Sequence, residues 1–198
     1  MGRRLFNKQT IMLTFSFLMM AAFIVIWSDS QQLYNFKAIE KSTAPHWFAI
    51  DLANIQMSKE GLPKRQAFAE KMLHYDQHNT TLLEKPRLTL FGVDNRQPWV
   101  MTANKGIAYH GKKLTDITLL YLEQKVNLMH YEEPSQKLLQ MNTEEMRLYP
   151  LLHHAFTHKF VTITEPGQTL QGVGMEVYFN TGVLTLLSEV ASHYEIPR

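Results

Sequence analysis

The sequence predicts an all-β domain of antiparallel strands that follows one N-terminal transmembrane helix. Three observations support this fold class. An uncharged apolar run of 17 residues lies near the N-terminus. From Trp47 onward the apolar residues recur with a period of two rather than 3.6. Turn signals such as Pro166-Gly167 punctuate these runs at regular spacing, which is typical of a sandwich, jelly roll or barrel.

The apolar run occupies residues 11–27 and has the length of a short membrane span. Three basic residues precede it within residues 1–10, so we expect that segment in the cytoplasm and the rest of the chain across the membrane. A cleaved signal peptide is the alternative. The run is longer than a usual signal core, and Ser28-Asp29-Ser30 is a poor cleavage site, so an uncleaved anchor is favoured.

Composition limits the remaining organisation and the classes of function. Residues 28–46 are mixed and polar and are predicted to form a linker, which leaves residues 47–198 for a single domain. The chain carries 20 Lys and Arg against 18 Asp and Glu, a balance that argues against nucleic acid as a partner. The absence of cysteine excludes disulfides, thiolate catalysis and cysteine-ligated metals.

Strand faces are predicted from the alternation of apolar residues. Phe48, Ile50 and Leu52 open the pattern and are expected to share one face. Segments 63–73 and 143–149 also resemble helices, but mixed alternation in the first favours strand. In the last run, the residues expected on one face are Leu184, Leu186, Ser188 and Val190, with Tyr194 further along it.

No pattern of catalytic or cofactor-binding residues stands out. His153, His154 and His158 could share a zinc ion on a helix, but their segment is predicted to be a loop followed by a strand, which favours surface imidazoles. The chain contains no phosphate-binding loop, no dinucleotide fingerprint and no Gly-x-Ser-x-Gly elbow. We therefore expect a protein that is not an enzyme and that holds no metal or cofactor.

An ordered set of short segments lies along the chain, at residues 61–69, 72–75, 82–91, 99–106, 122–128, 141–148, 161–163, 172–175, 186–190 and 193–195. Taken together, these segments resemble the LptC family of lipopolysaccharide export proteins, and the resemblance extends over about residues 5–30 and 47–196. Two departures concern local strand geometry: Gln124 stands where the family commonly has glycine, and Pro63 interrupts the first strand.

The resemblance implies a single-pass protein of the bacterial inner membrane with a periplasmic domain. Its fold would be a twisted, open antiparallel β-jelly roll of the LptA/OstA kind. Its expected partners are lipopolysaccharide, the subunits of an inner-membrane ABC transporter, and a periplasmic bridge protein of the same fold. The bridge protein would join the C-terminal edge strand, residues 183–195.

A lipid carrier of this kind needs an apolar interior, so the inward positions of the strands are the candidate lipid-binding residues. The same residues could fill a dry core. Two alternatives remain open. The chain could be a soluble or outer-membrane member of the same superfamily, or it could be a scaffold that binds only proteins. The candidate lipid-binding residues are Leu88, Leu90, Met101, Val126, Leu128, Met141, Leu148, Val161, Met175, Leu184, Leu186, Val190 and Tyr194.

Overall fold

The computed structural model describes residues 44–91, 98–132 and 137–194. The predicted membrane helix at residues 11–27 and most of the predicted linker therefore lie outside the described residues. In the part that is described, no helix combines the length and apolar character that crossing a bilayer requires. The first strand begins at Trp47.

The described residues form eleven antiparallel β-strands and one 3₁₀ turn, Asp76–His78, which confirms the all-β prediction. Segment 63–73 is strand, as expected, and segment 143–149, which also resembled a helix, is strand as well. The strands are β1 (Trp47–Met57), β2 (Pro63–Tyr75), β3 (Thr80–Glu84), β4 (Arg87–Leu90), β5 (Trp99–Thr102), β6 (Lys105–His110), β7 (Ile117–Glu132), β8 (Lys137–Tyr149), β9 (His154–Glu165), β10 (Gln168–Tyr178) and β11 (Val183–Tyr194).

The strands form one continuous antiparallel meander. Strands β3 and β4 both pair with β2 in the same register, so they are two parts of one row interrupted at Lys85-Pro86. Strands β6 and β5 pair with β3 and β4, and β7 pairs with both of them along its length. From β7 the meander continues through β8, β9 and β10 to β11.

A line of irregular backbone positions crosses this meander, and we call it the crease. Backbone hydrogen bonds continue across it: the Lys85 amide donates to the carbonyl of Asn104 at 2.8 Å, and the Asn104 amide donates to Gln124 at 2.9 Å. Left-handed residues and bulges increase the local bend of a strand. The positions on the crease with positive φ are Asp51, Lys85, Gln124, Lys125, Gly174 and Glu189.

The crease divides the meander into two layers that pack face to face as a jelly roll. The front layer holds, among others, residues 71–75, 105–110 and 117–123, and the back layer holds residues 63–69 and 126–132. Trp99 of the back layer contacts Phe179, at the end of β10 in the front layer, edge to face with ring centroids 5.4 Å apart. Apolar side chains from both layers form a single buried cluster between them.

The crease also reverses which residues of a strand face inward. Phe48 and Ile50 are each 65% exposed, whereas Leu52 is half-buried beside the interior. Asp51, with φ of 52°, lies between them and shifts the alternation by one residue. The expectation that Phe48, Ile50 and Leu52 share a face is therefore wrong.

Candidate functional site

Between the two layers, on the β1 side of the domain, lies a groove of about 460 Å³. Its size falls in the range of about 300–1,000 Å³ that is typical of ligand pockets. Its floor and walls are mainly apolar, and a few polar residues stand at its rims. The residues that line the floor and walls include Leu52, Ala67, Ala69, Met72, Leu83, Pro86, Leu88, Ala108, Ile117 and Leu120.

Small side chains explain why the groove lies on this side. In the β1–β2 pair, Leu52 is opposite Ala69, and in the β2–β4 pair Ala67 is opposite Leu88. Ala108 of β6 lines the groove from the front layer. Protein interiors are closely packed, so alanines at facing inward positions leave space that larger side chains would fill.

Elsewhere the interior is filled by most of the candidate lipid-binding residues. Seven of them are at most 1% exposed: Met101, Val126, Leu128, Met141, Leu148, Val161 and Met175. Leu88, Leu90, Leu184 and Leu186 are partly buried and pack against this cluster, and of these only Leu88 also lines the groove. The structure therefore separates a filled cluster in the middle from an open groove beside it.

Val190 and Tyr194 are exposed, at 58% and 63%. A register shift between β10 and β11 and the left-handed Glu189 separate them from Leu184 and Leu186. Beyond the shift, pairing places Tyr194 opposite Gln168 at the end of the meander. The prediction that Leu184, Leu186, Val190 and Tyr194 share one inward face therefore holds for Leu184 and Leu186 only.

A chain of hydrogen bonds, which we call the histidine relay, forms one rim of the groove. The Oγ1 atom of Thr81 lies 2.8 Å from Nδ1 of His74 and 2.7 Å from Nε2 of His110. The Nε2 atom of His74 lies 3.0 Å from Oδ1 of Asp76. His74 also stacks on Trp47, with ring centroids 5.1 Å apart. Sequence reasoning missed this relay, although His74 and Thr81 are directly opposite in the β2–β3 hairpin.

With both imidazoles neutral, the relay has one consistent arrangement of protons. The Asp76 carboxylate accepts from Nε2–H of His74, so Nδ1 of His74 must accept from the Thr81 hydroxyl. The Thr81 oxygen then accepts from Nε2–H of His110. Burial is the main effect on His110 and lowers its pKa, which favours its neutral form. Thr81 is 2% exposed and engaged on both sides, so its hydroxyl is held as a structural link.

Arg65 occupies the opposite rim. By alternation it shares the inward face of β2 with Ala67 and the buried Ala69, and its Nε donates to Oε1 of Gln56. The turn between β8 and β9 approaches the same rim. Burial lowers the pKa of His153 in this turn, and the positive charges of Lys64 and Arg65 lower it further.

None of the three histidines considered for a metal lines the groove, although the turn that holds His153 approaches its rim. His153 is in the β8–β9 turn, and His154 and His158 are on β9, as the sequence predicted. His154 stacks on Tyr178 with centroids 4.6 Å apart, and His158 contacts the edge of Phe156 at 5.2 Å. Among the described ranges, no three potential metal-ligating side chains form a cluster.

Comparison with known proteins identifies the family. The family model for lipopolysaccharide-assembly, LptC-related proteins matches residues 13–195. The chain belongs to the LptC family. The resemblance noted from the sequence is thereby confirmed, and the chain takes part in lipopolysaccharide transport. No curated protein matches the chain.

Among solved structures, the fold is similar to that of LptH from Pseudomonas aeruginosa. LptH is described as the LptA homologous periplasmic component of the conserved lipopolysaccharide transport device. The TM-score is 0.52 at 7% identity, over 67% of this chain and 95% of LptH. At that identity the likeness shows the shared jelly-roll fold alone.

Proposed function

We propose that this LptC-family chain accepts lipopolysaccharide from an ATP-driven extractor in the inner membrane and passes it to a periplasmic bridge protein of the same fold. The observation that carries the proposal is the open apolar groove between the two layers, in a chain whose family acts in lipopolysaccharide assembly. Residues 11–27 would anchor the chain in the inner membrane, with residues 47–198 in the periplasm.

The groove supplies what an acyl chain requires in water. Each exposed CH₂ group costs about 0.8 kcal/mol, so a carrier must cover hydrocarbon along its whole path. Leucine, isoleucine and methionine side chains cover the floor, while alanines keep it open. The filled cluster next to the groove supports the walls, because seven closely packed side chains hold the two layers together.

The two edge strands of the meander could attach the partners that deliver and receive the lipid. In the described part of the chain, β11 pairs only with β10, and β1 pairs only with β2. Each therefore has one row of backbone groups free for another strand. We propose that β11 adds to the bridge protein by β-augmentation, which would extend one jelly roll into the next. The transporter subunits would contact the domain at the other end.

Site-specific photocrosslinking in cells tests the carrier role. A crosslinker at Leu52 or Leu88 in the groove should capture lipopolysaccharide. One at Phe160, which is 54% exposed on the outer face, should not. The same experiment at Leu184 and Tyr194 tests the sequence-based assignment of the last strand. Capture of protein partners alone, with no lipid at any of these positions, would instead favour the protein-binding scaffold.

A further inference from the structure

The groove has apolar walls and a half-buried arginine at one rim, which together match an amphiphile with an anionic head. Arg65 is half-buried and lines the groove. Within the ranges that the structure describes, its hydrogen-bond partner is the neutral amide of Gln56, and no carboxylate lies within ion-pair distance of it. An unpaired charge beside an apolar cavity costs free energy unless water or a ligand compensates it.

The position of Arg65 relative to the crease indicates how an amphiphilic ligand would be oriented in the groove. Ala69 and Pro86 line the groove beside the crease, whereas Arg65 lies four residues from Ala69 along β2, away from the crease. Lys64 and His153 lie near the same rim, since both Lys64 and Arg65 act electrostatically on His153. Arg87 also lines the groove, but it is exposed and lies next to Pro86 at the crease. Arg65 is thus the half-buried arginine of the lining, and it lies away from the crease.

We propose that the groove binds an acylated phosphoglycolipid in one orientation, with a head-group phosphate on the guanidinium of Arg65 and the acyl chains toward the crease. A guanidinium suits this role because its planar array of donors matches phosphate oxygens. This inference rests on the proposed lipid-carrier function and adds the polarity of the bound lipid. Gln56 would hold the guanidinium at the rim before the lipid arrives.

The test compares lipopolysaccharide with its enzymatically dephosphorylated form, each titrated against the full chain in detergent. Arg65→Gln should weaken binding of the phosphorylated lipid about tenfold and leave binding of the dephosphorylated lipid unchanged. Arg65→Lys should lose less, because it keeps the charge. Lys59→Gln is the matched control: it removes the same charge from the β1–β2 turn, where Lys59 is exposed and does not line the groove.

The outcomes separate the inference from the proposed function. Equal losses for both lipids in Arg65→Gln, or no loss in either, would overturn the head-group assignment while leaving the carrier role intact. A wild-type chain that binds neither lipid would overturn the carrier role itself. The stability control is the thermal unfolding of Arg65→Gln. If the variant unfolds at the same temperature as the wild type, any loss of binding comes from the missing guanidinium and not from misfolding.

Discussion

Thr81→Val is the sharpest test of the histidine relay. Valine has nearly the shape of threonine, so the change removes the hydroxyl without creating a cavity. It deletes two hydrogen bonds, of 2.8 Å to His74 and 2.7 Å to His110. His74 is 4% exposed, so its Nδ1 atom would be left without a partner and with little access to water.

The expected loss of stability follows from these two bonds. Each hydrogen bond contributes about 0.5–1.5 kcal/mol net, and a buried polar atom left unpaired costs about 1–3 kcal/mol. We therefore expect Thr81→Val to reduce the free energy of unfolding by about 2–4 kcal/mol. For a domain of about 150 residues, 1 kcal/mol corresponds to about 2–4 °C, so Tm should fall by roughly 4–16 °C.

Differential scanning calorimetry of the full chain in detergent measures this change. Thr118→Val is the matched control, since the exposed Thr118 hydroxyl donates to the carbonyl of Tyr109 at 3.1 Å. We expect the control to change stability by no more than about 0.5 kcal/mol. If Thr81→Val unfolds within 2 °C of the wild type, on the scale of about 1 kcal/mol, the relay does not stabilise the groove rim and the reasoning is wrong.

Two further predictions concern the relay and the crease. Burial lowers the pKa of His110 in the folded state, so its contribution to stability is complete above about pH 6.5 and is lost as the pH falls below that value. Unfolding midpoints measured from pH 7.5 to 5 should therefore fall less in His110→Gln than in the wild type. Gln124→Gly should raise the free energy of unfolding by about 0.5–1 kcal/mol, because glycine tolerates the left-handed φ of 64° better than glutamine does, although it costs some chain entropy. Chemical denaturation measures this change, and a loss of stability would contradict the strain argument.

The existence and type of the strands could be predicted because the apolar period of two is a local property of the sequence. The alternation around Met141, Val161 and Met175 predicted inward side chains, and all three are buried. The strand prediction for segment 63–73 also holds. In these places the local pattern and the tertiary packing require the same face.

The faces near the crease could not all be predicted, because some of the residues that adopt positive φ there give no sequence signal. Asp51 and Glu189 are left-handed although neither is glycine. Each of these two interrupts an alternation that looks continuous in the sequence, whereas Lys85 precedes Pro86 in a recognisable turn signal. Phe48 and Ile50 were therefore assigned to the wrong face relative to Leu52. Gln124 was an exception, since its departure from the family glycine already indicated unusual geometry at that position.

The location of the groove depends on the same long-range geometry. Sequence reasoning looked for large apolar residues, and these fill the central cluster, as Leu128 and Leu148 do at 0% exposure. A cavity arises instead where small residues meet. Ala67 and Ala108 line the same groove only because the meander folds at the crease. A carrier of this design needs both parts. The large residues hold the layers together, and the alanines keep space between them for a ligand that must also leave.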